Sequence, residues 1–211
     1  FVVEVTGLEE TTIKWVMTAL LALVLFYTIL GGMFSIVLTD YVQFVVLSVG
    51  LIATTLFAVN ELGWEHIVSG IDKLKGVDGF DPFASKAFGT DYVIWMFFLG
   101  LVSCAIWQTA VMRACSARSV EDVKRIYTWS SIGFLIRFLI PNFLGLCALV
   151  YFADHPGLFP EGLEGKGDTG LQAMPRFLGI LLPSGLLGLV VAGMLAAFMS
   201  THDSYLLCWS S

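Results

Sequence analysis

Charge is scarce in this sequence. Of its 211 residues only 13% are Asp, Glu, Lys or Arg, roughly half the share usual in soluble domains. Set against 57% hydrophobic residues, that shortage excludes an ordinary water-soluble globule. Basic residues are the scarcer sign: 11 Lys and Arg stand against 17 Asp and Glu, a formal net charge of −6. A phosphate-binding surface needs a basic stripe, so nucleic acid is excluded as a partner. Paired cysteines are also missing. Of the four Cys, Cys104, Cys147 and Cys208 lie in apolar runs and Cys115 in a basic stretch, with no CxxC spacing. Neither a disulfide framework nor a zinc site is signalled, and the apolar cysteines read as small hydrophobes. The chain opens on Phe1 with no initiator Met and no basic n-region, and it stops at Ser211 without a helix-stop signal. These ends read as those of an internal piece of a longer protein.

Long apolar runs are present instead. Between residues 12 and 60 the only charges are Lys14 and Asp40. A single helix of that length would measure about 73 Å, more than twice the hydrocarbon thickness of a bilayer. The run must fold back, and Gly31-Gly32 is the natural place. The fold class expected is all-α, a polytopic transmembrane helix bundle of five crossings in one domain. They are helix A at about 12–30, B at 39–60, C at 92–112, D at 127–152 and E at 184–209. A short apolar arm from Phe177 to Leu182, ended by Pro183, precedes E, and D carries Arg137 and the breaker pair Pro141-Asn142.

The connecting segments orient the set. Arg113, Arg118, Lys124 and Arg125 crowd the stretch after C against Glu121 and Asp122, and a short basic loop marks the cytoplasmic side. The stretch 61–91 carries Glu61, Glu65, Asp72, Asp78, Asp81 and Asp91 against three lysines. The stretch 153–175 carries Asp154, Glu161, Glu164 and Asp168 against Lys166. Both are acidic and are expected outside. Trp64, Ile67, Val68, Ile71 and Leu74 recur at helical spacing within the first, which predicts a short amphipathic helix at the membrane surface.

Two constellations carry possible chemistry. Gly193, Ala197, Ser200/Thr201 and Ser204 form one stripe of small residues along helix E. Such a stripe lets another helix pack closely, with its hydroxyls bonding back to the preceding turn. Alternatively, the Ser200 and Thr201 hydroxyls and the Ala197 carbonyl offer neutral hard oxygens to a monovalent cation, the remaining ligands coming from a broken helix opposite. Asp40 and Gln43 sit at i, i+3 at the expected start of helix B. They read either as a cap, Asp40 at the N-cap with Gln43 reaching back, or as a carboxylate at the inner mouth of an ion path. Arg137, about ten residues into helix D, is costly in lipid and is expected to face the bundle against carbonyls, a carboxylate or an anionic substrate.

At this point a resemblance becomes specific. Gly31-Gly32-Met33-Phe34-Ser35-Ile36-Val37-Leu38-Thr39-Asp40-Tyr41-Val42-Gln43 resembles the signature of the sodium/solute symporter family of sodium-coupled glucose and proline carriers. Gln108 to Arg113 is similar to its next landmark. The run from Leu182-Pro183-Ser184-Gly185 through Ala196-Ala197-Phe198-Met199-Ser200-Thr201 to Asp203-Ser204 resembles the third.

The resemblance implies part of a five-plus-five inverted-repeat fold, with A to E as core helices four to eight. It implies half a sodium site at Ala197, Ser200 and Thr201, the partner ligands lying on a core helix outside this chain. It also implies an inner ion path at Asp40, with Gln43 beside it, and a substrate cavity lined by Ser103, Trp107 and Gln108 on a helix broken at its middle. Arg137 joins the substrate-binding set as a candidate for a carboxylate. The position where sugar carriers place an aromatic pair holds Ser103-Cys104, so sugar specificity does not carry over.

The function expected is sodium-coupled symport of a small organic solute, in a multi-pass protein of the plasma membrane. Its partners are sodium, the solute, the lipid bilayer and the remaining transmembrane helices. The alternative is a transporter-like sensory input domain of a membrane signalling protein. A membrane enzyme using His202, Asp203 and a serine is disfavoured, because adjacent helical residues point about 100° apart.

Overall fold

The computed structural model describes residues 5, 7–76, 80–83, 89–158 and 169–210, and among them every regular element is helical. The helices are α1 (Glu10–Leu62), α2 (Trp64–Lys75), α3 (Gly89–Ile106), α4 (Gln108–Cys115), α5 (Val120–Asp154), α6 (Thr169–Leu181) and α7 (Ser184–Ser210), with a 3-10 turn at Pro156–Leu158. Four stretches are long and apolar enough to cross a membrane: Thr11–Leu62, Gly89–Cys115, Val120–Asp154 and Ser184–Ser210. The chain divides into two compact units, residues 1–63 with 137–211, and residues 64–136.

In the first unit α1 is two arms, 10–31 and 33–62, meeting at Gly32, whose φ of 52° and ψ of −144° are non-helical. A left-handed φ with this ψ is close to a region that only glycine occupies readily. At Gly31 a Cβ would run into the side chain of Ser35. The bend reverses the chain. Tyr27 interacts with Thr39, twelve positions along, which a straight helix would hold about 18 Å away. The expected turn at Gly31-Gly32 is therefore a one-residue hinge, and the second arm starts six residues earlier than the expected residue 39.

That earlier start removes the capping reading of Asp40. Asp40 and Gln43 lie about two turns inside the arm, and the local hydroxyl, Thr39 Oγ1, donates back to the carbonyls of Ser35 and Ile36, both at 3.0 Å.

Helix α7 begins directly after Pro183, with Leu187 N–H donating to the Pro183 carbonyl at 2.9 Å. It packs antiparallel on the second arm of α1 through small residues. A Cβ on Gly193 would stand 3.4 Å from Leu47 Cα, and one on Gly50 would stand 3.6 Å from the Leu189 carbonyl oxygen. Within the same unit the end of α5 meets α6. Leu144, Cys147, Ala148, Val150 and Phe152 are buried, as are Phe177 and Leu178. The rings of Tyr151 and Phe177 meet at 5.3 Å. The apolar arm expected from Phe177 to Leu182 is thus the end of a longer helix, which accommodates Pro175 within its span.

In the second unit the amphipathic helix appears as α2, with Ile67 and Ile71 buried and Trp64 exposed. Helix C is not continuous: Trp107, with φ −66° and ψ 113°, is extended and separates α3 from α4. The basic stretch is mostly helical rather than a loop. Ser119 caps α5, accepting from Asp122 N–H at 3.2 Å and donating to Asp122 Oδ2 at 2.8 Å, so D starts at Val120 and not at 127. Helix α3 is apolar all round, with Trp95 and Phe97 both 63% exposed, as suits a surface covered by lipid or other helices. Asp78, Lys86, Glu161, Glu164, Lys166 and Asp168, used to orient the loops, lie outside the described residues.

Candidate functional site

The stripe on α7 brings three oxygens together. The Thr201 hydroxyl donates to the Ala197 carbonyl at 2.8 Å and the Ser200 hydroxyl donates to the same carbonyl at 3.1 Å. Back-bonding of this kind follows from i, i+3 and i, i+4 spacing. Its chemical result is a cluster of one carbonyl and two hydroxyl oxygens on one turn, all neutral and all hard. A cation arriving there exchanges two internal hydrogen bonds for direct coordination, because each hydroxyl turns its proton away and presents a lone pair.

The second arm of α1 carries Asp40 and Gln43. Gly193 meets Leu47 and Leu189 meets Gly50 across the antiparallel contact. Continued by one turn, this register sets Gln43 at the level of Ala197, and by two turns Asp40 at the level of Ser200. Asp40 Oδ1 and Gln43 Oε1 are both sealed from solvent, and Gln43 Oε1 accepts no hydrogen bond among the described residues. A buried amide oxygen with unused acceptor capacity is costly unless a donor or an ion satisfies it. The packing reading of the stripe is visible here: Gly193 serves the close approach to Leu47, and Ser200 and Thr201 bond back to the Ala197 carbonyl.

One turn further along α7 lies a group that sequence reasoning passed over. Asp203 is fully buried, and its carboxylate accepts from the Tyr27 phenol at 2.9 Å and from the Ser204 hydroxyl at 3.3 Å. The signal was present, since an ionisable residue within a spanning segment marks function by default. Asp203 entered the sequence reading only within a motif and in the disfavoured enzyme triad. Tyr27 carried no signal, because its partner is 176 positions away. His202, next to Asp203 in the chain, lies tilted against Phe198 with ring centroids 4.0 Å apart and bonds the Phe198 carbonyl through Nδ1 at 2.8 Å.

In the second unit the break at Trp107 gathers the other expected residues. The Trp107 N–H donates to the Ser103 carbonyl at 2.9 Å, and the Trp107 carbonyl accepts from Ala110 and Val111, both at 3.0 Å. Ser103 is half-buried, while Trp107 and Gln108 are exposed beside the extended residue. Arg137 belongs to the first unit, at the middle of α5, with its guanidinium carbon 5.9 Å from the centre of the Phe44 ring. It faces an aromatic ring of the second arm rather than a carboxylate, and Asn142 Nδ2 bonds the Phe138 carbonyl at 2.7 Å near Pro141.

The profile of the sodium:solute symporter family matches residues 4–211. The chain belongs to that family. Among similar proteins are sodium/glucose cotransporter 4 of Danio rerio, 25% identical over 213 residues, and sodium/glucose cotransporter 1 of Mus musculus, 28% identical over 220 residues. Each alignment covers 88% of this chain and 32% of the relative. A sodium/sialic acid symporter of Proteus mirabilis is 28% identical over 194 residues, covering 87% of this chain and 37% of its own. The chain thus spans about a third of the length of the curated relatives it matches. No solved structure matches. As a member of the sodium:solute symporter family the chain is part of a helical multi-pass membrane protein, and its hinge, stripe and broken helix fall at the landmarks of the resemblance.

Proposed function

We propose that this chain is the ion-binding part of a sodium-coupled symporter for a small organic solute, working in the plasma membrane. The observation that carries the reading is the convergence of the Ala197 carbonyl with the Ser200 and Thr201 hydroxyls, at the level of Asp40 and Gln43. The oxygens of α7 give half a coordination shell to sodium. The remaining ligands come from transmembrane helices beyond this chain. Asp40 supplies negative charge along the inner path by which the ion leaves, with Gln43 beside it.

Sodium acts as co-substrate. Its binding favours the outward-open state, and its release inside resets the cycle. Entry of one charge down the membrane potential contributes about 2.3 kcal/mol per 100 mV, enough for roughly 50-fold accumulation of a neutral solute.

Ser103, Trp107 and Gln108, at the break between α3 and α4, face the solute. Unwound backbone in a membrane helix is tolerated where it lines a cavity, and the break at Trp107 leaves the Trp107 and Gln108 side chains exposed beside it. The relatives are named for glucose, mannose and sialic acid, all polyhydroxylated solutes that such groups suit. Arg137 recognises a carboxylate where the solute carries one. The experiment is uptake of a labelled panel of sugars, amino acids, carboxylates and vitamins by the full-length protein in vesicles, with sodium or with choline outside. Uptake of at least one solute is expected to require sodium. Equal uptake in choline for every transported solute would overturn the reading.

A further inference from the structure

The phenol of Tyr27 lies where three helical segments meet. It belongs to the first arm of α1, donates to the buried carboxylate of Asp203 on α7 at 2.9 Å, and interacts with Thr39 on the second arm, in the field of Asp40. Asp203 lies three positions after Ser200 and two after Thr201, so its attachment fixes the rotation of the turn that bears the three oxygens. Without a tether, α7 is held on α1 here by contacts between small residues and apolar side chains, which resist separation more than rotation about the helix axis. A hydrogen bond to a carboxylate is directional and stronger than a neutral one. The Ser204 bond to the second carboxylate oxygen at 3.3 Å orients the group.

We propose that Tyr27 is a positioning residue for sodium, a clasp that holds the Ser200–Thr201 turn in register with Asp40. This rests on the sodium reading of Ala197, Ser200 and Thr201. Tyr27 touches neither ion nor solute; it acts through Asp203 on α7. It has the further consequence that the ion-binding turn and the inner path move as one body while the bond stands.

The test uses Tyr27→Phe in the full-length protein, a substitution that deletes one oxygen and keeps the ring. Sodium-dependent uptake is titrated at saturating solute, beside Ser200→Ala as a reference, with protein amount measured in the same membranes. Tyr27→Phe is expected to raise the sodium concentration for half-maximal uptake about three- to tenfold, the span of one lost hydrogen bond. The maximal rate and the protein amount should stay near wild type. Asp203→Asn, which keeps an acceptor for the phenol, should shift sodium less than Tyr27→Phe. The double variant should shift it no more than the larger single change.

If Ser200→Ala shifts sodium dependence and Tyr27→Phe leaves it within twofold, the clasp is wrong and the sodium site stands. The clasp is equally overturned if Tyr27→Phe lowers protein amount alone, since that is a purely structural effect. If neither variant moves sodium dependence, the sodium site itself is wrong, and the clasp falls with it.

Discussion

An aspartate within a membrane-spanning helix is among the costliest side chains that helix can carry, and Asp203 is fully buried with the Tyr27 and Ser204 hydroxyls as its donors. At the scale of single residues, local spacing made the α7 oxygens legible, because i, i+3 and i, i+4 relations are written into the sequence. The pairing of Tyr27 with Asp203 was not, since no periodicity links residues on separate helices. Arg137 shows the same limit. Its cost in lipid predicted a polar partner, and the structure sets it over the Phe44 ring at 5.9 Å, a cation–π contact worth about 0.5–2 kcal/mol according to its exposure. Lysine keeps the charge there but loses the planar fork. If Arg137 reads a carboxylate on the solute, Arg137→Lys should weaken solute affinity roughly tenfold, as expected for a lost charged hydrogen bond. Sodium half-saturation and protein amount should hold. Equal loss of protein in Arg137→Lys and Arg137→Ala, measured by membrane immunoblot, would assign it to folding instead.

Among the elements, the hinge was the most readable and the break the least. Gly31-Gly32 announces a reversal because one glycine holds a φ of 52° and a Cβ on the other would collide with Ser35. Gly32→Ala should therefore cost on the order of 1–3 kcal/mol and lower the melting temperature of the detergent-solubilised protein. An unchanged melting temperature would show that the hinge tolerates a side chain. Trp107 interrupts α3 and α4 with neither Gly nor Pro beside it, so nothing in composition marked the break; only the resemblance implied it. The start of α5 was missed for the opposite reason. Ser119 and Asp122 form a cap within a charged stretch, and the charges were read as loop although they occupy the first turns of a helix. Asp40 was misplaced by the same kind of error, its side chain resembling a cap while the helix had begun two turns earlier.

For the molecule as a whole, hydropathy and charge asymmetry gave the membrane character and a definite orientation. Exposed Cys115, beside Arg113 and Arg118, should face the cytoplasm. A cysteine replacing Phe83, which is exposed between α2 and α3, should face outside. An impermeant thiol reagent on intact cells is expected to label the Phe83→Cys protein and leave Cys115 unmodified, and the reverse pattern would invert the topology. The division into two units was not legible, because hydropathy counts crossings and says nothing of which of them pack together. Sodium coupling through the α7 stripe is the central claim, and it is tested most directly by the sodium dependence of solute uptake in full-length Ser200→Ala and Thr201→Ala proteins. Each variant removes one hydroxyl oxygen without adding charge or bulk, and each should raise the sodium concentration for half-maximal uptake about tenfold, given one lost ligand of hydrogen-bond strength. Unchanged sodium dependence in both, with normal protein amount, would contradict the account and leave the stripe as a packing surface alone.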